Sequence, residues 1–337
     1  MADNFLPVNM KYIIGAYATA PSLKSNDKSL EYKFYNSLIK SIPEIQGLEI
    51  PFFGDNIHKF GSDFMLGLIK PEWRNVLSCI PGVMDNLLRN PSFGLASNNE
   101  SGRFEAIEMC KRANEFIHRV NDYYGKQSIM AIQLVSAPSV PIKGVSSSKE
   151  SLIRSMDEIL SWDWDDAKIV IEHVDTHIQE LPFEKGFLSL EDEIQILSQF
   201  NDFNKVGVTI NWARSAIEGK NVNRPIEHIK LAIKSNLLSG LIFSGTSNND
   251  KNYGRWKDMH MPFARSYNVE NFEQNSLLTY TNISNTLKSI DINKLDYLGV
   301  KLLSMPLESA DISRRVGLNK DAVFILENII SELQLIN

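Results

Sequence analysis

The chain has 337 residues, 43% apolar and 23% charged, with 35 basic and 41 acidic side chains and a formal net charge of −6. That balance suits a folded domain long enough to bury a core without disulfides, and it leaves no basic footprint for nucleic acid or an anionic membrane surface. No run of about 18 apolar residues offers a membrane span. Cys79 and Cys110 lie in apolar stretches and read as buried free thiols, and Met1–Met10 lacks the basic and apolar regions of a secretory leader, so the expected compartment is the cytoplasm.

Along the chain one pattern repeats: a short β-rich apolar run, a loop, then a segment with helical spacing. Eight such runs occur, at Tyr12–Tyr17, Leu48–Phe52, Asn75–Ile80, Ser128–Val135, Lys168–His173, Val206–Asn211, Leu238–Ser244 and Tyr297–Leu303. Near-continuous apolar runs suit strands covered on both faces, as in a parallel sheet wrapped by helices. Leu152, Ile153, Met156, Ile159 and Leu160 form one helical stripe; Val323, Phe324, Ile329, Ile330 and Leu333 form another. Ser189 with Asp192 three residues on resembles a capping box, and Arg224-Pro225 opens a further helix. Eight βα units ending in a helix predict an α/β fold, a single (β/α)8 TIM barrel spanning residues 1–337. The first turn, Gly15-Ala16-Tyr17-Ala18-Thr19-Ala20-Pro21, carries no GxGxxG and argues against a dinucleotide-binding sheet. Extra loop material is expected from Pro91 to Gly102 and from Gly245 to Asn275. Both follow a strand, which places them on the face that carries barrel chemistry.

The strand ends therefore supply the candidate residues. Tyr17 ends the first strand, Glu49 lies on the second and Gln133 on the fourth. On the fifth, Val170 and Glu172 share a phase, and an inward acid needs a partner or a cation. His173 has the opposite phase and reads as a substrate contact or a packed, hydrogen-bonded histidine; Asp175 and His177 follow in the loop. The sixth strand ends in Asn211-Trp212-Ala213-Arg214, where an amide could orient a hydroxyl, an indole stack on a sugar and a guanidinium fork onto an anion. After the seventh strand, Trp256 precedes Asp258 and His260, a D-x-H pair suited to a metal or a proton. Lys301 interrupts the eighth apolar run and needs an anion, for which Glu172 is the expected partner across the barrel.

Gly47-Leu48-Glu49-Ile50-Pro51, Ile169-Val170-Ile171-Glu172 and Gly207-Val208-Thr209-Ile210-Asn211 together resemble the xylose isomerase-like barrel superfamily, which includes ketose epimerases and endonuclease IV-type enzymes. More narrowly, Ile171-Glu172-His173-Val174-Asp175, Glu184-Lys185-Gly186-Phe187-Leu188 and Trp256-Lys257-Asp258-Met259-His260-Met261-Pro262-Phe263 are similar to an uncharacterised bacterial family within it. The resemblance implies a divalent cation held by a Glu on strand five, an Asp on six, a His on seven and a Glu on eight. This chain offers Glu172, Asn211, Ser244 and Lys301 at those positions, so the expectation is that the metal site is lost. Lys301 would then supply the positive charge while Glu172 moves the proton. If a metal is bound, Glu172, Asp258 and His260 are the candidate ligands.

The resemblance implies a sugar or sugar-acid isomerase or epimerase with Glu172, Lys301 and His260 as catalytic candidates. Asn211, Trp212, Arg214, Asp258, Trp256, Gln133, Glu49 and His173 are the substrate-binding candidates. A lyase or aldolase that forms an imine at Lys301 is an alternative, as is a non-catalytic carbohydrate-binding barrel. The expected partner is a small molecule, with a homo-oligomer open.

Overall fold

The computed structural model describes residues 12–200, 205–309 and 311–336; Met1–Met10, read above for a leader, lies outside the described residues. Eight parallel strands close into a barrel in chain order, β1 (Tyr12–Ile14), β2 (Ile45–Pro51), β3 (Asn75–Ser78), β4 (Ile129–Leu134), β5 (Lys168–Glu172), β6 (Val206–Asn211), β7 (Leu238–Phe243) and β8 (Tyr297–Val300). Closure is made by β1 against β8, with Tyr12 opposite Leu298 and Ile14 opposite Val300. Seven predicted runs contain their strands; the second, Leu48–Phe52, overlaps β2, which begins three residues earlier at Ile45. The ladder ends earlier than the apolar run at β1, β3 and β8, because the chain turns there towards its loop while staying buried.

Outside the strands lie α1 (Lys28–Ser41), α2 (Ser62–Leu66), α3 (Ile80–Leu87), α4 (Glu100–Tyr124), α5 (Lys149–Leu160), α6 (Leu190–Leu197), α7 (Trp212–Gly219), α8 (Arg224–Lys234), α9 (Tyr280–Leu287) and α10 (Ile312–Ile336). Ser189 caps α6 by accepting from Asp192 N at 3.1 Å, and Pro225 sits in the first turn of α8. Two expectations need correction. Gly102 is not loop but first-turn helix, since Asn99 accepts from its N–H at 2.9 Å and caps α4. Phe324 is 38% exposed and lies off the buried stripe of α10, which runs through Val323, Leu326, Ile329 and Ile330. The segment between Phe243 and Thr279 has no regular element, as expected, and is pinned by bridges from Gly245 to Met261 and from Ser247 to Arg255. Both cysteines are buried and free, and no helix among the described residues is long and apolar enough to cross a membrane.

Two cores result. The larger lies between sheet and helices. The smaller, inside the barrel, gathers Ile13, Val76, Met130, Ala131, Ile242 and Tyr297. Above it Tyr297 reaches across from β8, its hydroxyl paired with Thr209 Oγ1 of β6 and receiving Gln133 Nε2 of β4 at 3.3 Å. Bonds between strands that are not neighbours must cross the interior, so these residues form a floor. Gly240 makes room for it: a Cβ there would lie 2.3 Å from the Tyr297 ring.

Candidate active site

The inward phase set by Val170 on β5 carries Glu172 into the barrel, and the same phase on the neighbouring strands carries Asn211, Ser244 and Lys301 to the rim. Glu172, Asn211 and Ser244 are fully buried and Lys301 is 1% exposed. Burial of this kind is tolerated only with partners, and every ionic group here has one.

Lys301 pairs with Glu49 of β2, not with Glu172: its Nζ donates to Glu49 Oε1 at 2.6 Å. The reason is the strand between them. Directly after β1, Gly15 carries no side chain, and a Cβ there would lie 2.9 Å from Lys301 Cβ and Cγ. The lysine stem passes over the glycine to reach the next strand but one. Tyr17, in the short turn after β1, donates its hydroxyl to the same Glu49 oxygen at 3.0 Å, and the Lys301 ammonium stands 5.1 Å from its ring centroid. Burial, with Glu49 and Glu172 nearby, raises the Tyr17 phenol well above its ordinary range, so it stays protonated.

Glu172 has a different cation. Arg214, in the first turn of α7, sets Nη1 2.7 Å from Glu172 Oε1, and Asn211 Nδ2 donates to the same oxygen at 3.1 Å. Asn211 stands at the N-cap of α7, where its side chain would ordinarily accept from the helix; it turns to Glu172 instead. Arg214 Nε donates to Asp258 Oδ2 at 3.1 Å, and Lys185, from the loop after β5, donates to that atom at 2.7 Å. Burial works against charge on Asp258, but Lys185 and Arg214 outweigh it and hold the carboxyl well below the usual carboxylate range. His260 Nδ1 lies 3.4 Å from Asp258 Oδ1 and 2.9 Å from Ser244 Oγ. Burial is the main cause that lowers its pKa to about 3; Lys301 and Arg214 add to the fall and Asp258 opposes it. The imidazole is therefore neutral and reaches the mouth at 18% exposure.

Beside Tyr17 the mouth opens into a cavity of about 370 Å3 lined by Pro51, Phe53 and Ile57, with Lys59 and Asp85 among its walls.

Three candidates sit elsewhere. Trp212 is fully buried and its indole donates to Thr286 Oγ1 of α9 at 3.1 Å, because α7 begins at this residue and turns it into the helix layer. His173 also faces outward: its Nδ1 meets Glu193 at 2.8 Å and its Nε2 meets Glu218 at 3.0 Å. Trp256 packs against the main core. Asp175 folds its own loop by accepting from Glu184 N and Lys185 N, and His177 is exposed against Phe183. Lys185 was missed by the sequence reading; its only signal was membership of the Glu184-Lys185-Gly186 motif.

The donor set does not suit the cation that the fold resemblance implies. The four matching positions present one carboxylate, one amide, one hydroxyl and one ammonium, with the Arg214 guanidinium against the carboxylate. Glu172, Asp258 and His260 do not gather their ligand atoms either. The one group among the described residues whose atoms lie within 4.8 Å of one another is His173, Glu218 and His228, behind the sheet. There Arg224 already occupies Glu218 through two hydrogen bonds.

Comparison with solved structures places this architecture. An L-ribulose 3-epimerase shares it at a TM-score of 0.57 and 12% identity, over 97% of each chain. A xylose isomerase domain containing protein from Salmonella typhimurium shares it at 0.56 and 10%, over 96% of this chain and 99% of that one. The fold they share is the closed (β/α)8 barrel. The chain belongs to the family described as a domain of unknown function, DUF4862, which it matches over residues 13–318. An uncharacterised protein of Salmonella typhimurium is 33% identical over 320 residues, covering 95% of this chain and 97% of its own length.

Proposed function

We propose that the chain, acting as one domain, is a carbohydrate isomerase or epimerase whose proton transfer runs at the barrel mouth without a divalent cation. One observation carries the reading: Glu172 is fully buried, has one oxygen held by Arg214 and Asn211, and leaves Oε2 without a partner among the described residues. A carboxylate so fixed is a base with a defined free face. It removes a proton from the carbon beside a substrate carbonyl. The electrons move into the carbonyl, and the resulting enediolate oxygen lies against the Lys301 ammonium and the Tyr17 hydroxyl. Return of the proton by Glu172 to the neighbouring carbon gives the isomer, and protonation of the original carbon from the opposite face, by a second donor, gives the epimer. His260, neutral and at the mouth, carries protons between substrate hydroxyls. The solved L-ribulose 3-epimerase lends support as a neighbour in fold.

The lyase alternative is less well supported. Imine formation needs the Lys301 nitrogen free to attack a carbonyl, whereas its Nζ is engaged by Glu49 Oε1 at 2.6 Å.

The test is solvent deuterium exchange into a keto sugar after exhaustive chelation. Exchange is expected to persist, and Glu172→Gln to slow it by about 10²–10⁴-fold with the fold intact. Exchange abolished by chelator and restored by Mn2+ or Mg2+ would refute the metal-free mechanism. Wild-type exchange rates in Glu172→Gln would remove Glu172 from it.

A further inference from the structure

The charges at the mouth cancel pair by pair. Lys301 meets Glu49 at 2.6 Å, Arg214 meets Glu172 at 2.7 Å and Lys185 meets Asp258 at 2.7 Å. Further out Lys257 meets Glu184 at 2.5 Å, and the charges acting on Lys220 are those of Asp175, Glu184 and Lys257. The cavity beside Tyr17 is lined by one cation, Lys59, whose ammonium donates to the Ser22 and Ser25 carbonyls, and one acid, Asp85. No cation in the inner set stands uncompensated to receive a phosphate or a carboxylate.

The unpaired atoms lean to one side as well: Ser78 Oγ, beside Gln133, can donate or accept, and the other unpaired oxygens of the mouth only accept. Among the described residues Glu49 Oε2, Gln133 Oε1, Glu172 Oε2, Asn211 Oδ1 and Asp258 Oδ1 are buried without a hydrogen-bond partner. All five only accept. Both amides have spent an N–H on protein oxygen, Asn211 on Glu172 and Gln133 on Tyr297, which leaves their carbonyls free. The Arg214 Nη1 group is the one unpaired nitrogen of the set, and it lies against Glu172 outside hydrogen-bond alignment. A wall of acceptors is complementary to a ligand rich in donors. A phosphate dianion or carboxylate brings acceptors only and would meet carboxylate oxygens without a free counter-charge.

We propose that the mouth selects an uncharged polyhydroxylated ligand, a free ketose, aldose or polyol, and rejects the phosphorylated and carboxylated forms of the same carbon skeleton. This rests on the reading of the mouth as the substrate site, and it narrows the sugar or sugar-acid expectation to the neutral class.

The experiment is titration calorimetry at low salt with free pentoses and hexoses, each beside its phosphate and its aldonate. At least one neutral sugar is expected to bind, with its anionic counterparts weaker by about tenfold or more. Glu49→Gln, which strips Lys301 of its counter-ion, is expected to tighten aldonate binding by about tenfold or more relative to the unsubstituted protein. Where that variant does not fold, Asp258→Asn does the same for Lys185. An aldonate or phosphate that binds as tightly as the neutral sugar overturns the proposal, as does failure of every neutral sugar to bind. A neutral sugar that binds but exchanges no deuterium sinks the isomerase reading and leaves this one standing; an anionic sugar that exchanges deuterium does the reverse.

Discussion

His173 and Glu172 are adjacent in sequence and belong to different compartments. Glu172 faces the mouth. His173 faces the helix layer, where Glu193, itself held by Ser136 Oγ at 2.5 Å, and Glu218 grip both ring nitrogens. Burial pulls the His173 pKa down, but the two carboxylates outweigh it and lift the value to about 10. The folded state thus binds a proton that the unfolded chain releases near 6.5. The stabilisation is complete below about pH 6.5 and fades as pH rises towards 10. His173→Gln is accordingly expected to cost the most stability near pH 6, with the gap to the unsubstituted protein narrowing at pH 9–10; urea melts at both ends check it. The alternation of side chains along β5 made both orientations legible from sequence. What it did not give was reach. Lys301 was assigned to Glu172 because both were buried and opposite in charge, and nothing in the strand pattern said that Gly15 opens a lane to Glu49. Trp212 was misplaced for a related cause, since a strand and a helix meet at that residue and the phase changes there.

At the scale of elements, the strands were readable because apolar runs bounded by turn chemistry have few other solutions in water, and the helix starts because Ser189 and Pro225 carry the capping preferences on their side chains. The long segment after β7 was readable only as a loop. Its shape is set by scattered contacts, such as Tyr253 OH to Leu303 O at 2.9 Å and Thr246 Oγ1 to Lys257 O at 3.1 Å, which leave no periodic trace. The lane over β1 yields a prediction. Gly15→Ala puts a methyl 2.9 Å from two carbons of the Lys301 stem. It is expected to cost about 1–3 kcal/mol in a urea melt and to lower deuterium exchange by weakening the Lys301–Glu49 pair, whereas Gly125→Ala, with open space around its Cβ, disturbs stability through its left-handed backbone alone and spares exchange.

For the whole molecule, closure depends on the last helix as much as on β8. The α10 helix packs along α1 and α9, burying Val316, Leu318, Val323, Ile325, Leu326, Ile329 and Ile330. Its Arg315, 1% exposed, donates to the carbonyls of Thr19, Leu307 and Ser309, which ties the loop after β1 to the loop after β8. Removing residues 312–337 exposes the partners of seven apolar side chains. At about 1.5–3 kcal/mol each that matches or exceeds the roughly 5–15 kcal/mol by which domains are stable. The truncated chain is expected to bind a hydrophobic dye and lose its cooperative melt. The floor has a converse consequence. Tyr297, Thr209 and Gln133 bridge the cylinder through side chains of the strands themselves, so the storey above can be refurnished without undermining the one below. A protein engineer could exchange the ion pairs at positions 49/301 and 172/214 for those of another barrel and expect the cylinder to survive the renovation.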